Sequence, residues 1–263
     1  MITDHRCAIV TLVRNGAPVF PLWLKYYLKH FSPQHIYILD HDSTDGTTSG
    51  LDVNVIPMHN SKYLDMQWQN DLTHEWQAKL LERYEYVMYV DADEIVVADP
   101  EQCPGGLSEY LVRNTAPVVR CNGRGVVQHL TLETKPVDWS RPILEQRRWW
   151  FSNDLDCKVA LSNCRLNFSW GCHWDTEAPA GMPNHHVRIE RPIDPHLFLV
   201  HLHRVDIAHM IRRHAWMREQ EFWSGGGDRG IHHKWSDEEV VRDMVEHQAR
   251  LEPIPERFSG SIL

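Results

Sequence analysis

Residues 86–97 read YVMYVDADEIVV, and no other stretch of this 263-residue chain restricts its fold so sharply. The run is rich enough in apolar and β-branched residues for a buried strand, yet Asp91, Asp93 and Glu94 interrupt it. An ionised carboxylate left unpaired in a protein interior is strongly destabilising. The strand is therefore expected to end at Val90, with the acids beyond it and a cation close by. Alternation of side chains along extended backbone puts Asp91 and Asp93 on one side and Glu94 on the other.

The neighbouring segments supply a sheet for that strand. Cys7–Val13 (CAIVTLV) is a short β-branched run of the kind buried on both faces of a parallel sheet. A helix is expected in FPLWLKYYLKHF, where Leu22, Leu24, Tyr27, Leu28 and Phe31 recur at helical spacing. HIYILD and VNVIPM read as two more strands, and residues 65–84, free of Pro and Gly, as one long helix before the acidic strand. This succession predicts an α/β fold with a mostly parallel central sheet flanked by helices. Ligands of such sheets bind at the carboxyl ends of the strands, where Arg14, Asn15, residues 40–45 and residues 91–94 all fall. Between residues 117 and 200 the chain changes character. Short strand-like pieces (118–127, 157–162, 185–190, 196–203) are separated by Pro, Gly and Asn, which predicts an irregular β-rich half. Residues 205–223 then read as a helix with Asp206 as N-cap, and Ser236 with Glu239 opens a last helix through a capping box. The loop at 224–230 between them is either a lid or a linker.

Two carboxylates on one side suit Mg²⁺ or Mn²⁺, which take one or two protein carboxylates and complete their shell with phosphate oxygens and water. The competing reading leaves the acids solvated at a strand end or capping a helix. In LDHDSTDGT (39–47), Asp40 is placed to accept hydrogen bonds from a uracil or a ribose, unless the segment is simply an acidic turn. Arg14 and Asn15 could contact base or phosphate, or hold the loop they start. His201 and His203 share one face of LFLVHLHR. Each is either a metal ligand, suited better to Mn²⁺ than to Mg²⁺, or a hydrogen-bonded structural histidine. Lys158 either pairs with a phosphate or snorkels outward. Trp149, Trp150, Phe151, Trp170 and Trp174 form either a sugar-stacking surface or part of the core.

The series TLVRN…LDHDSTDGT…DADE, in this order and at strand ends, resembles the family 2 type of nucleotide-sugar glycosyltransferases. The likeness is nearest the branch of family 92-like and related bacterial transferases. Trp23–Leu24 with Tyr26–Tyr27, the triplet Gln69-Asn70-Asp71, Lys158–Val159, His173, and His201 with His203 match further positions of that pattern. The resemblance covers residues 6–100 well and 155–222 loosely. It departs from the pattern at Gly16, where the family often has an acid, and at Asp40-His41-Asp42, which stands for an acid-acid-Gly turn.

What the resemblance implies is specific. The fold would be GT-A (Rossmann-like), as one domain over 1–263: a nucleotide-sugar-binding half (1–115), an acceptor half (116–205) and C-terminal helices (206–263). Arg14, Asn15, Asp40, Asp42, Gln69, Asp71 and Lys158 would meet a nucleoside-diphosphate sugar donor. Asp91 and Asp93, with one of His173, His201 and His203, would hold Mn²⁺ or Mg²⁺ and the diphosphate. The reaction would invert the anomeric carbon, with a saccharide or glycolipid acceptor of cell-surface glycan synthesis. A carboxylate must take the acceptor's proton. Asp175, in a loop beside His173 and Trp174, is the first candidate, followed by Glu177 and Asp154.

Composition narrows the partners. A net charge of −9 argues against general binding to nucleic acid or to an anionic membrane surface. No apolar run approaches the roughly 20 residues of a membrane span. The start MITDHRCAIVTLV does not resemble a signal peptide, and the six cysteines, without a CxxC pair, read as mostly free thiols. With these features, the resemblance implies a bacterial-type cytoplasmic protein. A sugar-nucleotide nucleotidyltransferase would need a Gly-rich loop after the first strand, which TLVRNGAP lacks. A His-rich metal hydrolase would need an HExxH or similar framework, also missing. The remaining alternative is a non-catalytic GT-A-like module that binds nucleotide or sugar, and an intact DADE argues against it.

Overall fold

Strand β1 (Cys7–Val13) has every residue but Leu12 buried, because it runs between two parallel neighbours with side chains packed over both faces. In the computed structural model, which describes residues 6–169, 171–177, 188–222 and 231–260, β1 pairs with β2 (Ile36–His41) on one side. β3 (Asn54–Met58) extends the parallel set beyond β2. After helices α1 (Val19–Tyr27) and α2 (Met66–Leu81), β4 (Tyr86–Tyr89) pairs parallel to the other side of β1. Alternate residues of β1 serve two cores. Ile9 faces Trp23, Tyr26 and Tyr27 of α1, whereas Ala8 and Val10 face Leu72, Trp76 and Leu80 of α2. Burying each such large side chain contributes roughly 1.5–3 kcal/mol, which fixes the parallel half of the sheet.

The chain continues through β5 (Glu94–Ala98), α3 (Gly106–Arg113), β6 (Val118–Val127), the short α4 (Ile143–Gln146), β7 (Trp149–Ser152) and β8 (Val159–Ser162). It ends through β9 (Ile193–Arg204), α5 (Ile207–Arg218), α6 (Asp237–Gln248) and β10 (Glu252–Pro253). β8 runs antiparallel to β4 and carries the sheet into the second half. The result is a ten-stranded mixed sheet of order β10-β7-β6-β8-β4-β1-β2-β3, flanked by helices. β9 lies off this path, antiparallel to β5 and parallel to β6. This is the α/β class predicted above, parallel in its N-terminal half and mostly antiparallel in the second.

Local signals set several boundaries. Asp65 caps α2 by accepting the Trp68 N–H at 3.1 Å, so the first residue of the predicted helix is its cap. Asp206 caps α5 through the His209 N–H at 2.8 Å. Ser236 and Glu239 form both halves of the capping box that starts α6. β6 occupies the predicted 118–127. In contrast β5, β7, α3 and α4 were not foreseen. Of the strand expected at 185–190, residues 185–187 lie outside the described residues, and Arg188 makes only an isolated bridge to Thr176. The loop at 224–230 and Trp170 also lie outside them. All six cysteines are free. Among the described residues no helix is long and apolar enough to cross a membrane.

Candidate functional site

The acidic run proves to be a turn. The Asp91 N–H donates to Glu94 Oε2 at 2.7 Å, and the Glu94 N–H donates back to the Asp91 carbonyl at 3.0 Å. This closes the chain between β4 and β5, and the three acids part company. Asp91 and Glu94 converge on Lys158, at 2.9 and 2.7 Å, while Asp93 meets His201 and Arg213. The expectation that Asp91 and Asp93 share a side, with Glu94 opposite, is thereby corrected. Side chains alternate only along extended backbone, and residues 91–93 are not extended.

The first cluster has a built-in cation. Lys158, just before β8, is fully buried, as is Glu94, whereas the Asp91 carboxylate is 39% exposed. Tyr89 adds its hydroxyl, donated to Asp91 Oδ1 at 3.1 Å, and its ring face, 4.9 Å from the ammonium. Burial pushes the Glu94 carboxyl up to about 7 in spite of Lys158. At Lys158 burial works the other way, but the two carboxylates outweigh it and raise its pKa. Lys158 therefore neither snorkels outward nor stands free for a phosphate. His173 completes the cluster, its ligating atom within 4.8 Å of those of Asp91 and Glu94. Burial, with Lys158 nearby, lowers its pKa to about 4, so its ring is neutral.

The second cluster lies on the other side of the turn. Ligating atoms of Asp93, His201 and His203 all fall within 4.8 Å of one another. Asp93 Oδ1 is 3.6 Å from His201 Nε2, and Asp93 Oδ2 accepts from Arg213 Nη1 at 2.8 Å. Burial disfavours the ionised Asp93, but His201 and Arg213 outweigh it and hold its carboxyl well below the usual carboxylate range. His201 is opposed by burial yet raised well above an ordinary histidine by Asp93 and by Asp156, whose Oδ1 is 3.4 Å from Nδ1. Burial and the neighbouring Arg204 and Arg213 keep His203 neutral. One carboxylate and two imidazoles form a borderline O/N donor set that suits Mn²⁺. The set fits a divalent cation better than the first cluster, where an ammonium already bridges the acids.

The strand ends of β1 and β2 adjoin this region from the parallel half of the sheet. Asn15, in the left-handed region at φ 53°, accepts the Thr44 N–H at 2.7 Å and the Asp45 N–H at 3.2 Å. It thus holds the loop after β2. Asp40 accepts the Ser43 N–H at 3.0 Å and the Thr48 hydroxyl at 2.9 Å, so both its oxygens brace the same turn. Arg14 reaches the Asn60 carbonyl and the ring of His41. Asp42 pairs with His59, and Asp71 accepts from Gln67 on the exposed side of α2, with Gln69 half-buried between. The absent acid at Gly16 has a steric cause. A Cβ there would stand 2.6 Å from the Phe20 Cβ and 2.7 Å from a Val13 methyl.

The base candidates separate clearly. Asp175 is buried, and its Oδ2 accepts from Arg191 Nε at 3.0 Å and Nη2 at 2.5 Å. That carboxylate is engaged by a guanidinium rather than open to an acceptor hydroxyl. Glu177 and Asp154 are exposed. Asp154 starts the 3₁₀ turn Asp154–Asp156 whose last residue touches His201. Trp150 and Phe151 are core residues, the first stacked on Phe198, so they offer no sugar surface. Trp149 and Trp174 are half-buried, against His129 and Arg188 respectively.

Two residues of the second cluster escaped the sequence reading. Arg213 lies 120 residues from Asp93, and Asp156 lies 45 from His201. Neither carries a local signal. Arg213 looks like one more charge on an amphipathic helix, and Asp156 like one more acid in a turn.

No protein-family model matches the chain, and no curated protein does. Among solved structures, S. aureus TarS aligns over 92% of this chain and 43% of its own, at 10% identity and a TM-score of 0.39. TarS 1-349 in complex with UDP-GlcNAc aligns over 93% and 73%, at 10% identity and a TM-score of 0.36. The structure of TarS 1-349 alone aligns over 54% and 43%, at 19% identity and a TM-score of 0.31. The chain thus covers less than half the length of two of these three chains.

Proposed function

We propose that the protein is a metal-dependent glycosyltransferase of the family 2 type, nearest the family 92-like branch, with a GT-A arrangement over one domain. It moves a sugar from a nucleoside-diphosphate sugar to a hydroxyl of a saccharide or glycolipid, with inversion, as a cytoplasmic enzyme of cell-surface glycan synthesis. The observation that carries this reading is the Asp93–His201–His203 donor set beyond the carboxyl end of β4, beside the ends of β1 and β2. Those three side chains would hold Mn²⁺ or Mg²⁺, which when bound supplies positive charge against a departing diphosphate.

The chain's own groups explain why an anion is needed there. Asp93 and Asp156 are balanced by Arg213 and by a proton on His201 that a bound cation would displace, so an added divalent cation calls for further negative charge. A diphosphate provides it. Arg213, whose side chain is 29% exposed, is placed to turn from Asp93 toward that anion. Asn15 and Asp40 shape the loop after β2 that would face the nucleoside, and Asp91 stays at the rim, paired with Lys158. For the acceptor's proton the reading takes Asp154 rather than Asp175, because its turn adjoins the site and, among the described residues, no arginine pairs with it.

A panel of nucleoside-diphosphate sugars, scored for Mn²⁺-dependent hydrolysis and repeated on Asp93→Ala, tests this reading. Metal-dependent turnover that vanishes in the folded variant is expected. Tight nucleotide binding that ignores metal, with no sugar released, would instead identify a non-catalytic binding module. Pyrophosphate-dependent formation of a sugar 1-phosphate would identify a nucleotidyltransferase.

A further inference from the structure

The geometry points to Asp156 as a positioning residue that sets the proton and the orientation of His201, so that Nε2 presents a lone pair at the cation site. The inference rests on the cation site proposed above, and goes beyond it in assigning a residue outside the donor set.

An imidazole ring can carry its single proton on either nitrogen, and the neighbour of one nitrogen decides what the other can do. In His201 the two nitrogens face two different carboxylates. Nε2 is 3.6 Å from Asp93 Oδ1, and Nδ1 is 3.4 Å from Asp156 Oδ1. An acceptor at Nδ1 keeps the proton there and leaves Nε2 free to ligate. Carboxylates that orient ligating histidines in this way raise metal affinity substantially.

The fold builds Asp156 into place by an independent device. Asn153 starts the 3₁₀ turn: its Oδ1 accepts the Leu155 N–H at 3.1 Å, and its carbonyl accepts the Asp156 N–H at 3.0 Å. Its Nδ2 also donates to Asp156 Oδ2 at 3.4 Å. The turn is pressed onto β6 at Gly123, where a Cβ would lie 2.3 Å from the Asp156 carbonyl carbon. No other residue type fits that approach without moving the turn. β6 thus seats Asp156, and β9, paired parallel to β6 with Gly125 opposite His201, seats the histidine. Among the described residues His201 is the one ion-pair partner of Asp156, and it meets Oδ1, the oxygen that Asn153 does not use.

The test compares wild type with Asp156→Ala and the nearly isosteric Asp156→Asn by two readouts. The first is ¹⁵N NMR of metal-free protein at alkaline pH, which reports the tautomer of neutral His201. Wild type should carry the proton on Nδ1, and Asp156→Ala should shift it toward Nε2. The second is the Kd for Mn²⁺, read from free Mn²⁺ by electron paramagnetic resonance. Asp156→Ala should weaken it by about 10–100-fold, and Asp156→Asn, which keeps an acceptor but not the charge, by less, though by more than about twofold. An unchanged tautomer overturns the inference, as does an Mn²⁺ affinity within about twofold of wild type in folded variants. Should Asp156→Ala fail to fold, Asp156→Asn still decides through its Mn²⁺ affinity. A wild type that binds no Mn²⁺ would remove the proposed cation site, and the tautomer would then show by itself whether Asp156 orients His201.

Discussion

Lys158→Met removes the cation held between Asp91 and Glu94 and should destabilise the protein in a manner that depends on pH. Lys158 and Glu94 are both fully buried, 2.7 Å apart. Methionine fills much of the same space without charge. Stranding a buried carboxylate by deleting its partner costs about 3–5 kcal/mol, but Glu94 can evade part of that by binding a proton. Burial already pushes it up to about 7 from an ordinary 4.5 with Lys158 present, and loss of the ammonium pushes it higher. A carboxyl whose folded pKa exceeds its unfolded value loses stability as pH rises between the two, by about 1.4 kcal/mol per unit. In wild type that loss ends near 7; in the variant it continues. Below pH 7 the two proteins should therefore differ by a roughly constant 1–3 kcal/mol, from severed hydrogen bonds. Above pH 7 the gap should widen by about 1.4 kcal/mol per unit until the full penalty is reached. Urea unfolding at about pH 6 and about pH 8.5, with m unchanged, measures the gap. A gap independent of pH would refute the idea that Lys158 serves chiefly to keep Glu94 ionised.

Three further outcomes follow from the same contacts. Asp206→Ala should cost more than the roughly 1 kcal/mol of a lost helix cap. Asp206 Oδ2 also accepts from buried Arg147 at 3.1 Å and from the Val137 N–H at 2.8 Å, so a loss of about 3–5 kcal/mol is expected by urea unfolding, partly regained in the double variant with Arg147→Met. Gly16→Asp, which installs the acid of the related pattern, should destabilise by about 1–3 kcal/mol, since its Cβ meets Phe20 and Val13; a Tm at or above wild type would contradict the steric reading. The metal-free protein should be most stable near pH 6.5. Burial holds His30 and His209 at about 4, so protons favour the unfolded chain as pH falls from about 6.5, an effect that outweighs the opposite slope of Glu94. His201, raised by Asp93 and Asp156, gives stability that is complete below about 6.5 and lost as pH rises through its folded value. Thermal unfolding from about pH 4.5 to about pH 9 should show that maximum; a Tm still climbing above pH 7 would contradict it.

Elements set by local rules were legible in the sequence. β1 was read from its β-branched run, α2 from the absence of breakers, and the starts of α5 and α6 from Asp206 and from Ser236 with Glu239. The acidic stretch was half legible. The strand before Val90 was expected, but β5 was not, because nothing in Asp91-Ala92-Asp93 announces a turn to a reader assuming extended backbone. That single assumption put Asp91 and Asp93 together and Glu94 apart. Lys158 was read as a surface or phosphate residue because its partners lie 67 and 64 residues away. Asp156 and Arg213 were missed for the same reason. Long-range ion pairs leave no periodic trace, so the donor set could be guessed from residue type, whereas the groups that orient it could not.

β9 has a neighbour hydrogen-bonded along each of its edges, with His201 opposite both Glu94 of β5 and Gly125 of β6. Leu202 is buried in the main core between the half-buried His201 and His203. A slip by one residue would drive both imidazoles into that core and expose the leucine instead, and it would have to break two ladders at once. The site therefore behaves as a digital element. Substitutions that merely loosen β9 should leave its ligands in place until the strand gives way altogether, so site integrity should be lost in one step together with the sheet rather than by gradual drift.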